Sequence, residues 1–223
     1  MKKKAAVLAA LALFAGAAVA DDTGFYAGAG AGWGQFSLPK GKITNSFAAG
    51  FAAAGAPIDS WSAKTDTSSI PWSATVGYRF IKYLAVEVGY IDAGTSSYKG
   101  VGEVDDINLG LLPAKGKLDW RASGLQASVL GIWPIDNTWS VFGRVGGFFG
   151  DVKADVHVNV DGSTGKGHDS ANSNEFLYGV GVDSQFLDEW TARLEWMGMP
   201  SLGNNSTGSA DWNGIMFSLL YRF

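Results

Sequence analysis

The chain has 223 residues, with 17 basic and 21 acidic side chains, a formal net charge of −4 and no cysteine. The absence of cysteine excludes disulfide bridges and thiolate metal sites, and the acidic balance argues against a nucleic-acid partner, which needs clustered positive charge. Glycine (31), phenylalanine (13) and tryptophan (9) are abundant, while charged residues make up only 17%. This composition favours one all-β domain of short alternating strands in a membrane.

Residues 1–20, MKKKAAVLAALALFAGAAVA, have the features of a secretory signal peptide. Three lysines precede a short apolar run, which ends in a small-residue cleavage site before Asp21. The alternative is an uncleaved anchor helix, but the apolar run is short for a membrane span. We therefore expect a mature domain over residues 21–223, whose net charge becomes −7 because three lysines are removed.

Eight segments then alternate with a period of two, which predicts strands that each carry an apolar row and a mixed row. The strands are predicted at 24–36, 70–80, 84–96, 119–133, 139–153, 175–186, 190–199 and 212–223. Three short turns are predicted at 81–83, 134–138 and 187–189, and four long polar loops near 37–69, 97–118, 154–174 and 200–211. Within the first loop, the weakly apolar stretch 47–56 indicates a flap or a short helix.

The last predicted strand shows the pattern most clearly. Its alternate residues Ile215, Phe217, Leu219, Tyr221 and Phe223 form a wholly apolar row that nothing later in the sequence covers. Together with the alternation of short turns and long loops, this row predicts an eight-stranded antiparallel transmembrane up-and-down β-barrel of the outer membrane. The alternative is a soluble eight-stranded ligand-binding barrel, in which the apolar rows would face inward.

If the apolar rows face lipid, the other rows face a lumen that is only wide enough for side chains. Isolated charges in such an interior are strongly disfavoured, so we expect a network of paired charges. The inward-facing charged residues are Arg79, Glu87, Arg144, Asp183, Arg193, Glu195 and Arg222. Two interpretations remain: a polar filling that packs the lumen, or a gate in which exchange of ion pairs lets ions or small solutes pass.

Five motifs resemble the transmembrane domain of the outer membrane protein A family. They are FYAGAGAGWGQF (25–36), LAVEVGY (84–90), FGRVGG (142–147), TARLEW (191–196) and FSLLYRF (217–223). The resemblance implies that Glu87 and Arg193 form an interior pair that acts as a gate, with Asp183 as a second acid. The family's alternative lysine on the fourth strand has no counterpart, because Ser128 and Leu130 stand there.

The resemblance also carries expectations about assembly and partners. It implies that the aromatic residues Tyr221 and Phe223 form a C-terminal signal for the barrel-assembly machinery, with periplasmic chaperones acting during biogenesis. The family's periplasmic peptidoglycan-binding domain is not expected, because the sequence ends with the barrel. We expect a monomer that contacts outer-membrane lipids and lipopolysaccharide.

Two further kinds of chemistry were considered. His157 and the triplet His168-Asp169-Ser170 contain residue types used in catalysis, so a lipid A-modifying enzyme is an alternative, but neighbours on one loop do not supply catalytic geometry. Asp105-Asp106 indicate at most weak divalent-cation binding. No cofactor, no metal and no enzymatic activity are expected. The sequence thus favours a structural or surface-interaction role, with a narrow pore as the alternative.

Overall fold

The structure, a computed structural model, describes residues 23–204 and 207–223, so the predicted signal peptide lies outside the described residues. Almost all of the described chain is β-strand, with one α-helix. The elements are β1 (Gly24–Ser37), α1 (Lys40–Ala53), β2 (Ile58–Asp66), β3 (Ser68–Ser69), β4 (Trp72–Ile81), β5 (Leu84–Asp106), β6 (Gly110–Pro134), β7 (Trp139–Val160), β8 (Ser163–Gln185), β9 (Trp190–Asn204) and β10 (Gly208–Arg222).

Eight of these strands form a closed antiparallel sheet. Their order is β1, β4, β5, β6, β7, β8, β9 and β10, and β10 pairs back with β1 from Tyr26↔Arg222 to Ser37↔Asp211. Closure leaves no unpaired edge around the ring, which is the condition for strands to cross a bilayer. The predicted eight-stranded up-and-down barrel is therefore confirmed.

The outer surface carries the apolar rows that the sequence predicts to face lipid. On β10, for example, Ile215 and Phe217 are about half exposed, whereas their neighbour Met216 is buried. Aromatic side chains concentrate at the end of the barrel where the three short turns lie. They are Phe80, Tyr83, Trp133, Trp139, Phe186, Trp190 and Phe223. Amphipathic rings settle at headgroup level, so this end lies at one membrane interface.

At the other end, the strands extend much further than the sequence predicts. The segments 97–118, 154–174 and 200–211, which were expected to be polar loops, consist largely of strand in tall hairpins, and the β5–β6 turn occupies only residues 107–109. Above the apolar belt the outward rows face water and are polar, while the inward rows, such as Val156 and Val158, are apolar. These segments were predicted as long polar loops because their outward residues are polar, and the structure shows that they are largely strand.

The first predicted loop also contains regular structure. The helix α1 spans Lys40–Ala53, and it places Ile43, Phe47 and Phe51 on one face because they recur every four residues. It ends before Gly55, whose φ of 79° is a left-handed conformation that glycine adopts without strain. No helix among residues 23–204 and 207–223 is long and apolar enough to cross a membrane.

The helix packs on the extended hairpins to form an apolar headpiece. The strand β2 pairs with the upper part of β5, from Ile58↔Val104 to Asp66↔Ser97, and so continues the wall where β4 ends. The buried residues of the headpiece are Phe47, Phe51, Ala56, Tyr98, Val104 and Ala114. The helical expectation for the stretch 47–56 was close, although the helix begins earlier and ends at Ala53.

Candidate functional site

Five charged side chains meet in the barrel interior, two to five residues from the strand ends at the short turns. Glu87 comes from β5, Arg144 from β7, Asp183 from β8, and Arg193 and Glu195 from β9. Each lies on the inward row of its strand, and none has more than 8% of its surface exposed. We call these five residues, together with Tyr26, the lumen network.

Glu87 lies at the centre of the lumen network. Its Oε1 accepts a 2.7 Å hydrogen bond from the Tyr26 hydroxyl and a 2.6 Å hydrogen bond from Nη1 of Arg193. Its Oε2 accepts a hydrogen bond from Nη2 of Arg144. One carboxylate therefore binds both guanidinium groups at the same time, which offsets part of the cost of burying it.

Arg193 is held in place from several sides. Its Nε and Nη2 donate hydrogen bonds of 2.7 Å and 2.9 Å to the two carboxylate oxygens of Asp183 on the neighbouring strand. The guanidinium carbon lies 4.3 Å from the centre of the Phe142 ring, a cation–π arrangement. With its third contact to Glu87, the planar group is fixed in orientation.

Glu195 has fewer partners. Its Oε1 lies 2.9 Å from Nε of Arg144, but the N–H does not point at it with hydrogen-bond geometry. The cluster contains three carboxylates and two guanidinium groups, so its formal charge is −1 when every group is ionised. Glu195 is therefore the least compensated charge of the network.

Glycines on the inward rows leave the space that these side chains occupy. A Cβ at Gly77 would lie 2.3 Å from Cζ of Tyr26, and one at Gly179 would lie 2.7 Å from Oε1 of Glu195. Contacts that short require the ring or the carboxylate to move. The lumen network thus depends on glycines of neighbouring strands.

Two of the predicted residues stand apart from the network. Arg79 and Arg222 lie near the end with the short turns, where Nη2 of Arg79 donates to the carbonyl of Lys82 and Nη2 of Arg222 to that of Asp188. Both line an open vestibule of about 530 Å³, which Arg193 and the network close at its inner end. The structure therefore brings together five of the seven predicted charges.

Above the network the lumen is filled by apolar side chains, which the sequence analysis did not anticipate. We call this cluster the apolar plug: Phe36, Ile91, Ala93, Trp120, Ala122, Phe148, Val152, Ala154, Leu177, Met197, Met199, Leu202, Ala210 and Trp212. Phe36 and Trp120 meet edge to face, with ring centres 5.1 Å apart. The indole N–H groups of Trp120 and Trp212 donate to the Thr207 carbonyl and the Ser69 hydroxyl.

Little space separates the apolar plug from the lumen network. The void between them measures about 10 Å³, roughly the volume of one water-sized probe. Its walls include Gln126 and Met216 as well as the charged residues. The signal for the plug was present in the sequence as Trp120 and Trp212, which alternate with polar outward residues.

The residues considered for catalysis or metal binding do not assemble into a site. Nδ1 of His168 lies 2.7 Å from Oδ1 of Asp155, while Asp169 accepts the backbone N–H of Ser170. Asp106 accepts the N–H groups of the β5–β6 turn. Within residues 23–204 and 207–223, no three His, Asp or Glu side chains are grouped closely enough to hold a metal ion.

The predicted assembly signal lies on the outer surface beside the first strand. Tyr221 and Phe223 meet edge to face, with ring centres 5.3 Å apart, and the N–H of Phe223 donates to the Phe25 carbonyl. Both rings are more than one third exposed. Their role in assembly stays a prediction.

Comparison with known proteins identifies the family. A family model described as the OmpA-like transmembrane domain matches residues 20–223. Outer membrane protein A of Shigella dysenteriae is 30% identical over 228 residues, covering 100% of this chain and 56% of that protein. Its counterpart in Yersinia pseudotuberculosis serotype I (strain IP32953) is 28% identical over 229 residues, covering 99% and 56%.

The chain therefore spans about 56% of the length of these relatives. Among solved structures, Neisserial surface protein A aligns with a TM-score of 0.45 at 13% identity, over 89% of this chain and 97% of that one. The family model covers the whole barrel described above, with its lipid-facing rows and its closed ring. The chain belongs to the family of OmpA-like transmembrane domains and is an integral β-barrel protein of the outer membrane of Gram-negative bacteria.

Proposed function

We propose that this barrel is a non-conducting membrane anchor whose interior serves stability, and that its function is exerted at the cell surface by the extended hairpins and the headpiece. The observation that carries the proposal is the filled cross-section of the lumen. Glu87 binds Arg144 and Arg193 at once, and the apolar plug occupies the space above them. The void of about 10 Å³ between the two layers is too small for a hydrated ion, which supports a closed lumen.

The simultaneous pairing also argues against a gate that works by exchange of partners. In such a gate, an acid would bind one cation in the closed state and another in the open state. Here both guanidinium groups contact Glu87 in a single arrangement, and the second cation comes from Arg144 on β7. Even if one pair separated, the plug around Trp120 and Trp212 would still block the lumen.

Single-channel recording tests this function. Purified, refolded protein in planar bilayers is expected to show no discrete openings, and the Arg193→Ala variant is expected to show none because the plug remains. A second variant, Arg193→Ala with Trp120→Ala, removes side-chain atoms from both the lumen network and the apolar plug. It serves as a positive control, because it opens space for ions in the lumen. Discrete openings of the unmodified protein would overturn the proposal and support the narrow pore, which the 530 Å³ vestibule favours as the second candidate.

A non-enzymatic role is part of the same proposal. The pairing of His168 with Asp155 supports it, since a nucleophile needs a base within hydrogen-bond reach and, within residues 23–204 and 207–223, no hydrogen bond joins His168 to Ser170. An assay for acyl transfer or release on lipid A tests it with the His168→Ala variant. Acyl transfer or release that this substitution abolishes would contradict the proposal.

The expectations about export, assembly and oligomeric state are also proposals. Export would remove residues 1–20, and Tyr221 with Phe223 would be recognised by the barrel-assembly machinery after delivery by periplasmic chaperones. We further propose that the protein works as a monomer surrounded by lipopolysaccharide. The exposed apolar belt supports contact with lipid around the whole ring.

A further inference from the structure

A row of basic side chains crosses five strands of the extended hairpins at one level. The pairing register places Lys64 opposite Lys99, Lys99 opposite Lys117, Lys117 opposite His157 and His157 opposite Lys166. All five lie on outward rows, and we call them the basic row. With about 4.8 Å between neighbouring strands, the row is roughly 19 Å long.

The arrangement is unfavourable in isolation. Like charges directly opposite each other on paired strands repel, so a sheet normally avoids them. Within residues 23–204 and 207–223, the only carboxylate within 4.0 Å of a lysine in the row is Asp119, which contacts Lys117 at 2.5 Å. Lys64, Lys99 and Lys166 have no such partner, which leaves three ammonium groups available to an external anion.

The acidic side chains next to the row are occupied by other contacts. One step nearer the membrane, the register aligns Asp66, Asp119 and Asp155. Partial burial opposes ionisation of Asp119, but hydrogen bonds from Lys117 and Ser97 hold the pKa of its carboxyl group below the usual range. Asp155 contacts His168. These acids therefore anchor local residues and do not neutralise the rest of the row.

The position of the row determines what it faces. Lys117 lies eight residues beyond Leu125, where the row of exposed apolar residues on the barrel part of β6 ends; the next exposed leucine of β6, Leu111, lies beside the β5–β6 turn. Eight residues span roughly 26 Å along a strand, or about 20 Å along the membrane normal at a tilt of about 40°. The outward row points sideways, parallel to the membrane plane, into the sugar layer of the surrounding outer-leaflet glycolipids.

The surface at this level has the shape of a binding groove. A groove of about 300 Å³ follows the row, and it is lined by Lys99, Lys117, His157 and Lys166 as well as by glycines that add no side chain. Asn159 and Thr164 also line it and offer hydrogen-bonding groups to hydroxyls. The groove therefore follows four residues of the basic row across four neighbouring strands, and its walls between their charged groups are mainly apolar.

We propose that the basic row is a binding site for phosphorylated sugars of the glycolipids that surround the barrel in the outer leaflet. Lysine acts as a compact point charge for phosphate, and a linear row suits an oligosaccharide with several phosphates. The groove has no phenylalanine, tyrosine or tryptophan ring on which successive bases could stack, which disfavours single-stranded nucleic acid. It also has no tryptophan, tyrosine or arginine anchor of the kind that dominates protein interfaces.

This site gives the surface role proposed above a specific partner, but it does not depend on a closed lumen. Conductance of the barrel would leave the basic row intact, and loss of sugar binding would leave the lumen closed. The two proposals therefore fail in different experiments.

The first test measures binding in solution. Protein in phosphatidylcholine nanodiscs is titrated with phosphorylated core oligosaccharide and with the same oligosaccharide after chemical dephosphorylation. The variant K64Q/K99Q/K166Q is expected to bind the phosphorylated sugar at least tenfold more weakly, whereas K40Q/K42Q/K82Q, with the same change in charge, stays within twofold of the unmodified protein. Heat-modifiable migration on gels checks that each variant is folded.

The second test locates the contact in the membrane. Acetylation of each lysine by a water-soluble reagent is followed by mass spectrometry in vesicles with and without phosphorylated glycolipid in the leaflet that the hairpins face. Lys64, Lys99 and Lys166 are expected to react at least threefold more slowly with the glycolipid present, and Lys40 and Lys42 at an unchanged rate.

Several results would overturn the proposal. They are equal weakening by the two triple variants, equal binding of the dephosphorylated sugar, absence of binding by the unmodified protein, and unchanged reactivity of the row lysines in glycolipid vesicles. Tighter binding of a single-stranded DNA oligonucleotide than of the phosphorylated sugar would also overturn it, in favour of a nucleic-acid site.

Discussion

Arg193 donates a 2.6 Å hydrogen bond to Glu87, and the two residues come from strands on opposite sides of the ring. In the eight-strand order, β5 and β9 are four positions apart in either direction. The contact therefore joins two walls of the barrel that share no backbone hydrogen bonds. Because Arg193 also holds Asp183 on β8, one side chain connects three strands across the lumen.

Replacement of Arg193 by alanine is expected to destabilise the barrel strongly. It leaves Glu87 and Asp183 buried with one cation between the three acids, and breaking a buried pair costs about 3–5 kcal/mol. Urea unfolding in lipid vesicles, followed by tryptophan fluorescence, measures the free energy of unfolding. The control is Arg222→Ala, which removes an exposed contact to a backbone carbonyl and should cost less than about 1 kcal/mol. Equal losses for both variants would contradict this account.

The two glutamates of the network are expected to respond differently to neutralisation. Glu87→Gln removes the charge that binds both arginines and leaves two guanidinium groups with poorer partners, so the free energy of unfolding should fall by several kcal/mol. Glu195→Gln removes the least compensated charge and brings the formal charge of the cluster to zero, so it should be neutral or stabilising. The same unfolding assay compares the two variants. Both substitutions bring the formal charge to zero, so a larger loss for Glu195→Gln than for Glu87→Gln would contradict the view that Glu87 is the better-paired carboxylate.

The glycine beside Tyr26 is expected to be required by the network. In Gly77→Ala the new methyl group would lie 2.3 Å from the tyrosine ring, which must shift away from Glu87, at a cost of about 1–3 kcal/mol. Gly143→Ala is a matched control, because no atom lies within 4 Å of a Cβ at that position. Unfolding measurements on both variants, and on Gly77→Ala with Tyr26→Phe, decide the question. If Gly77→Ala were as stable as Gly143→Ala, the ring would not be held as the structure places it.

The sequence predicted the membrane-spanning part well because the bilayer imposes one rule on every strand. The outward residue must be apolar, so a period of two was enough to assign Phe217 to the lipid and Arg193 to the lumen. The same alternation also predicted that the charged residues of the lumen network face inward. The sequence did not predict which of these charges pair with each other. Glu87 and Arg193 are 106 residues apart, and the sequence of one strand does not determine its register relative to a distant strand.

Above the bilayer the rule reverses, and the prediction failed there. Outward residues face water and become polar, while the inward row fills the lumen with Trp120, Val152 and Ala154. Residues 154–160 alternate between apolar and polar side chains, but 163–170 are polar or glycine on both rows and exposed throughout, so that half of the hairpin carries no alternation from which a strand could be predicted. The helix α1 was only partly anticipated, because its apolar face consists of three residues that need the headpiece as a partner.

The ion pair at the edge of the basic row makes a prediction about pH. Hydrogen bonds from Lys117 and Ser97 depress the pKa of Asp119, so the folded state holds this carboxylate more tightly ionised than the unfolded chain does. A group with a depressed pKa contributes stability above its unfolded value, about 3.9 for aspartate, and this contribution is lost as the pH falls through the folded value. Lys117→Gln is therefore expected to raise the pKa of Asp119 and to reduce the dependence of stability on pH in that acidic range.

Carbon-detected NMR titration of the Asp119 carboxyl in nanodiscs measures the pKa directly, and Lys115→Gln, two residues away on the same outward row, is the control. An unchanged pKa in Lys117→Gln would mean that Ser97 and the backbone, and not the lysine, hold the carboxylate ionised.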